Sequence, residues 1–240
     1  MLTSLLVKVG EATNQTLVLP FIVLFPTSRC NSRCVSCDWW RSSGAGDLTL
    51  EEIDRVAEAL PGLGTRLVVF SGGEPLLRPE VFEAADLFRA RGLSLHLLTS
   101  GILLERSAAE VARCFSRVVI SLDGATEALY RAVRGVSALT VVERGVAELR
   151  RTAPDLPVTA RATLHRLNYL AMPELIAHAR AMGLDGISFL PADLSSFAFG
   201  RDAVSDLSGL GLDAGQVADF EAVVEHTIRT HADDLASGFV

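Results

Sequence analysis

Several features are scarce in this 240-residue chain, and each scarcity excludes something. No apolar run approaches the ~20 residues that cross a bilayer, so a membrane span is not expected. Positive charge is in deficit: 22 Lys and Arg against 29 Asp and Glu leave a net charge of −7. A nucleic-acid backbone or an anionic membrane face is therefore a poor partner. The start, "MLTSLLVKVGEATNQ", lacks a basic leader and a small-residue cleavage site, and Lys8 interrupts its short apolar patch. It reads as a mature N-terminus and suggests a cytoplasmic protein whose thiols stay reduced. Cysteine is also scarce, with four in all, yet three are crowded together, which suggests metal or catalysis rather than disulfides.

What is present is the composition of a globular protein, long enough to bury one large core. Strand-like runs rotate strictly with amphipathic segments. The runs are "FIVLF" (Phe21–Phe25), "RLVVF" (Arg66–Phe70), "LSLHLLT" (Leu93–Thr99), "RVVISL" (Arg117–Leu122), "VTARATL" (Val158–Leu164) and "GISFL" (Gly186–Leu190). Helical patterns lie near 50–61, 79–91, 103–113, 137–152 and 171–182, the first opened by the capping box "TLEE", Thr49–Glu52. Such rotation predicts parallel strands with helical crossovers, and six units fall short of the eight that close a barrel. The expected fold is α/β, a partial (β/α)6 TIM-like barrel with parallel strands and a C-terminal helical tail. Residues 1–17 read as an N-terminal extension, 18–193 as the core, and 194–240 as a loop and C-terminal helix. The reading leans toward a sequence that stops ahead of a further C-terminal domain.

In such barrels the carboxyl ends of the strands carry the chemistry. Directly after the first strand stands "SRCNSRCVSCDWW", Ser28–Trp40, with Cys30, Cys34 and Cys37. These spacings could share a helix face, but Arg29, Asn31, Ser32, Arg33, Ser36 and Asp38 give a buried stripe no apolar company. A structural zinc site closes with four ligands, and Cys114 lies in a helical segment, so zinc needs a histidine from afar. Three thiolates on a loop suit a cubane iron–sulfur cluster in which one iron has no protein ligand. An open coordination position admits a substrate.

C-x3-C-x2-C after the first strand resembles the signature of the radical S-adenosylmethionine (radical SAM) superfamily. That resemblance implies a [4Fe-4S] cluster on Cys30, Cys34 and Cys37. It also implies S-adenosylmethionine on the open iron and reductive cleavage to a 5′-deoxyadenosyl radical that abstracts hydrogen. Ser36 departs from the pattern, which usually has an aromatic residue packing by the adenine; Trp39 or Trp40 is the expected substitute. Gly72, Gly73, Glu74 and Pro75 in "FSGGEPLLRPE" resemble the family's clamp on the cofactor ammonium group, and two glycines let the backbone approach a ligand closely. "LLTSG" is similar to the family's Thr-Asn-Gly, with Ser100 in place of asparagine, and reads as a turn.

Alternation in "VVISLDG" puts Ser121 and Asp123 toward the barrel interior, where ribose hydroxyls or the cofactor carboxylate would partner them. In "TARATLH" the residues Thr159, Arg161, Thr163 and His165 share the inner face. An interior arginine demands an anion, so Arg161 is expected on the cofactor carboxylate or an acidic substrate. Arg134, in "YRAVRG", is its rival. His165 reads equally as loop or proton donor. Leu190 and Pro191 are expected to lay backbone against the adenine, and Leu194–Gly211 with Phe197, Phe199 and Arg201 reads as a pocket cap or a surface loop.

The motif wording is closest to members of the SPASM or twitch type, although no cysteine follows Cys114 to hold an auxiliary cluster. The implied partners are a small-molecule or peptide substrate and a reductant such as flavodoxin or ferredoxin. No side chain beyond the cluster is assigned as acid or base. The alternatives are a non-catalytic zinc-binding barrel and a regulatory iron–sulfur protein.

Overall fold

The computed structural model describes residues 2–201 and 207–240. Six strands form one sheet in simple sequential order, every neighbouring pair parallel: β1 (Phe21–Thr27), β2 (Leu67–Gly72), β3 (Ser94–Thr99), β4 (Arg117–Ser121), β5 (Val158–Leu164) and β6 (Gly186–Pro191). Helices α2 (Leu50–Ala59), α3 (Val81–Arg89), α4 (Leu104–Cys114), α6 (Leu139–Thr152) and α7 (Met172–Ala181) make the crossovers. The sheet is that of the expected partial barrel. Three helices escaped the sequence reading: α1 (Leu2–Thr13), α5 (Glu127–Arg134), which precedes α6 in the β4–β5 connection, and the short α9 (Ala232–Ser237). The tail helix α8 (Ala214–Thr230) starts where Asp213 and Gln216 cap each other's backbone reciprocally.

Alternation along each strand sorts side chains between two faces. On β5, Val158, Ala160, Ala162 and Leu164 are buried under the helices, whereas Thr159, Arg161 and Thr163 are half-buried toward the concave side. The convex face makes the core. Phe70 is fully buried there and meets Phe88 and Phe115 edge to face, with ring centroids 5.8 and 5.4 Å apart. On the concave face of β1, Phe21, Val23 and Phe25 remain exposed, because six strands do not wrap far enough to cover them.

The fold also fixes how β2 meets the loop after β1. Gly72 has φ +103°, the left-handed region that glycine tolerates. A Cβ on Gly73 would lie 2.1 Å from the Arg29 carbonyl oxygen and 2.8 Å from that of Ser28. The glycines were expected to admit a ligand; what Gly73 admits is the backbone of the cysteine loop. The Gly73 N–H donates to the Thr27 carbonyl at 3.1 Å and the Glu74 N–H to that of Arg29 at 2.8 Å.

Two predictions follow from the packing. Phe70→Ala is expected to cost about 3–5 kcal/mol in urea unfolding, because it removes an aromatic ring from a closed core. Gly73→Ala must displace backbone rather than a flexible side chain, so amide hydrogen exchange at residues 29–35 is expected to accelerate while the core amides stay protected.

Candidate functional site

The loop that leaves β1 has no regular structure across the three cysteines, so its shape comes from neighbours. Asp47 anchors its start, accepting from the Ser28 N–H and hydroxyl at 2.8 Å each and from the Thr27 hydroxyl at 2.5 Å. Burial alone would raise the Asp47 pKa, but these hydrogen bonds together hold it below the ordinary carboxylate value. Arg78, itself buried, donates to the carbonyls of Pro26 (2.7 Å) and Leu48 (2.6 Å), tying the loop's two ends. In the middle, the N–H groups of Arg33 and Val35 donate to the carbonyls of Arg134 (2.8 Å) and Val133 (3.0 Å) at the end of α5. Gly135 (φ +69°) makes that approach possible, since a Cβ there would lie 2.3 Å from the Arg33 carbonyl oxygen.

Cys30, Cys34 and Cys37 are free thiols, half-buried, on one wall of a cavity of about 290 Å³ at the carboxyl ends of the strands. Burial pushes all three thiols up, Cys37 to about 12. Trp39 lines the same cavity and stacks edge to face on Phe25, with centroids 5.5 Å apart. Trp40 instead lies against the guanidinium groups of Arg33 and Arg41. Between the two tryptophans, the structure brings Trp39 to the cavity.

Gly72, Gly73, Ser121, Asp123, Arg134, Arg161 and Leu190 join the cysteines around this cavity. Glu74 and Pro75 do not. Glu74 is fully buried behind the wall, where Oε1 accepts from the Leu76 N–H (3.1 Å) and the Thr99 hydroxyl (2.8 Å), and Oε2 from the Ser100 N–H (2.6 Å). That carboxylate pins the turn after β3, and Ser100 passes the link on by donating its hydroxyl to Asn31 Oδ1 at 3.1 Å. Pro75 is buried beside it. His165 also stays off the cavity, its Nδ1 accepting from the Leu167 N–H at 3.2 Å; burial lowers its pKa.

Asp123 reaches the cavity, but both its oxygens are engaged. Oδ1 accepts from the Thr163 N–H at 2.7 Å, and Oδ2 faces Arg134 Nη1 at 3.1 Å. Arg161, by contrast, is only half-buried, and its side chain's one hydrogen bond among the described residues is a weak 3.4 Å contact from Nε to Ser188 Oγ. Of the two rival arginines, Arg161 has its terminal nitrogens free to face the cavity.

Three contributors went unread in the sequence. Asn168 is buried and donates its amide to the carbonyls of Asp123 (3.1 Å) and Thr163 (3.0 Å), locking the ends of β4 and β5 together. Its Oδ1 also accepts the N–H of His165, three residues back, at 2.9 Å, a local side-chain-to-backbone bond. Asp47 and Arg78 left no such signal. The loop after β6 does turn inward as far as it is described: Phe199 and Arg201 line the cavity, whereas Phe197 is exposed away from it. Arg201, buried, donates to the carbonyls of Ser36, Asp193 and Ser196 at 2.8–2.9 Å. Phe199 holds φ +62°, costly for a bulky residue, and its carbonyl accepts the Asp38 N–H at 2.9 Å. Residues 202–206 of the expected cap lie outside the described residues.

Comparison with known proteins places this geometry. The "PqqA peptide cyclase" of Rhodopseudomonas palustris is 30% identical over 231 residues, spanning 94% of this chain and 60% of that protein. The "GTP 3',8-cyclase" of Caulobacter vibrioides is 36% identical over 169 residues, 66% of this chain and 48% of the relative. The chain thus spans about half the length of the curated relatives it matches. Among solved structures, Streptococcus suis SuiB bound to precursor peptide SuiA superposes with a TM-score of 0.73 at 15% identity, over 94% of this chain and 50% of that one. The structure of anSMEcpe with bound AdoMet gives 0.71 at 18% identity, over 91% and 61%. Those two share the fold. The model of the Radical SAM superfamily matches residues 24–179, and the chain belongs to that superfamily.

Proposed function

We propose that this chain is the core of a radical SAM enzyme, with Cys30, Cys34 and Cys37 holding a [4Fe-4S] cluster and the adjoining cavity taking S-adenosylmethionine. The observation that carries the reading is the gathering of three free cysteines around one cavity at the strand ends, opposite an arginine with unfilled donors. The donor set fits: soft sulfur ligands suit iron–sulfur clusters, and three leave one corner open. When bound, the cluster supplies the electron that cleaves the sulfonium and starts hydrogen abstraction.

The chain's own residues bind, orient and exclude water. Arg161 takes the cofactor carboxylate as a bidentate donor. The backbone of Gly72 and Gly73 faces the ammonium group, with Glu74 and Pro75 holding that turn from behind. Ser121 offers a hydroxyl to the ribose, while Asp123 supports the wall through its bonds to Thr163 and Arg134. The backbone of Leu190 and Pro191 flanks the adenine, and Trp39 with Phe199 supplies the apolar surface that Ser36 lacks. Arg201 holds Phe199's loop against the cysteine loop. The substrate is a small molecule or a peptide. The match over 94% of this chain to a protein named a peptide cyclase favours the peptide. The electron comes from a donor of the flavodoxin or ferredoxin class.

Anaerobic reconstitution with iron and sulfide is expected to give a brown protein with a broad visible band, and dithionite then to release 5′-deoxyadenosine from S-adenosylmethionine. Cys34→Ala should lose both. A colourless product, or zinc without sulfide on metal analysis, overturns the reading. Arg161→Gln should keep its iron yet bind S-adenosylmethionine about 10–100-fold more weakly in equilibrium dialysis, the loss of a charge-assisted pair.

A further inference from the structure

The most deeply buried ion pair at the cavity has no ligand to hold in the scheme above. Side-chain exposure is 11% for Arg134 and 5% for Asp123, and they meet at 3.1 Å through a single contact. Asp123 is fixed from behind by the Thr163 N–H and, through its carbonyl, by Asn168. That leaves the guanidinium tethered on one side to its carboxylate. On the other side Nη2 reaches Ser32 Oγ at 3.4 Å, between Cys30 and Cys34 in the chain, and the buried Tyr130 hydroxyl also meets the guanidinium. The Arg134 backbone carbonyl accepts the Arg33 N–H from the same loop. Carboxylate, guanidinium and cysteine loop therefore stand in that order, an oriented pair with its positive end toward the loop that carries the cysteines.

We infer that Arg134 is the cluster's positioned counter-charge, which raises the cluster's reduction potential, and that Asp123 orients it and tempers the effect. This rests on the functional reading above. A cubane with three thiolates carries net negative charge in its oxidised form, and uptake of one electron from the flavodoxin- or ferredoxin-class donor adds another, with no bond or proton required. A buried cation beside it favours the reduced form, and a carboxylate behind the cation subtracts from that gain. Low local polarisability and poor access for salt make both effects larger than at a surface.

The experiment is an EPR-monitored redox titration of the reconstituted chain and of Arg134→Lys, Arg134→Gln and Asp123→Asn, with iron and sulfide counted in each. Arg134→Gln is expected to move the midpoint to more negative potential. At fixed ambient potential the ratio of reduced to oxidised cluster should fall about tenfold, about 59 mV for a one-electron couple. Asp123→Asn is expected to shift it the opposite way, and Arg134→Lys to stay near wild type. Opposite shifts at full iron content support the inference. Unmoved midpoints overturn it, as do shifts of the same sign or equal loss of iron from both variants, which a mere structural brace would give. Should Arg134→Gln fail to fold, Asp123→Asn decides alone: a rise supports the inference, and an unchanged or lower midpoint overturns it. A wild-type chain that binds no cubane sinks the functional reading instead, before any variant is compared.

Discussion

The carbonyl of Arg29 accepts the Glu74 N–H at 2.8 Å, and that of Arg134 accepts the Arg33 N–H at the same distance. These two bonds hold the first half of a loop with no helix or strand across its three cysteines. Ordering each of its residues costs about 1–2 kcal/mol of conformational entropy, while one hydrogen bond returns only about 1 kcal/mol net. No single contact can therefore hold the cysteines in place. They are held because β2, the end of α5, the turn after β3 and the loop after β6 each contribute backbone or buried side-chain partners. The thiols' common orientation toward one cavity depends on that convergence.

Buried charge serves the same end. Glu74, Asp123, Arg78 and Arg201 are all buried polar residues, and each is bonded mainly to backbone or to another buried charge. Leaving such groups unpaired would cost more than any of them returns when paired, so each fixes the local geometry of the groups it touches. Arg161 differs from them in being half-buried, with a single weak side-chain bond to Ser188 Oγ among the described residues.

The barrel and the cluster loop were legible for different reasons. Strand periodicity of two and the strict rotation of elements leave little freedom in the sheet, and all six strands were found, β5 with its bounds unchanged and the others within two residues. The α5 helix was missed because it is only eight residues long and lies between the Asp-Gly turn signal at 123–124 and Gly135, ahead of the segment 137–152 that was read as helical. Motif wording marked the cysteines and the glycine turn. It did not separate residues that face the cavity from residues that stand behind it: Glu74 and Gly73 sit in one motif and do different things.

Alternating hydrophobicity, capping and cysteine spacing are local properties, carried within a few residues of chain, and they determined the parallel sheet, the helix starts and the presence of a three-sulfur loop. The division between Arg134 and Arg161, the burial of Glu74, the use of Trp39 over Trp40 and the inward turn of Phe199 were decided only in the folded chain. Each turns on which distant group lies in contact: the Asp123 carboxylate and Ser32 hydroxyl for Arg134, the Thr99 hydroxyl and Ser100 N–H for Glu74, the Phe25 ring for Trp39 and the Asp38 N–H for Phe199. Because a buried donor or acceptor must find such a partner, the fold assigns roles among chemically identical side chains that sequence alone leaves equivalent.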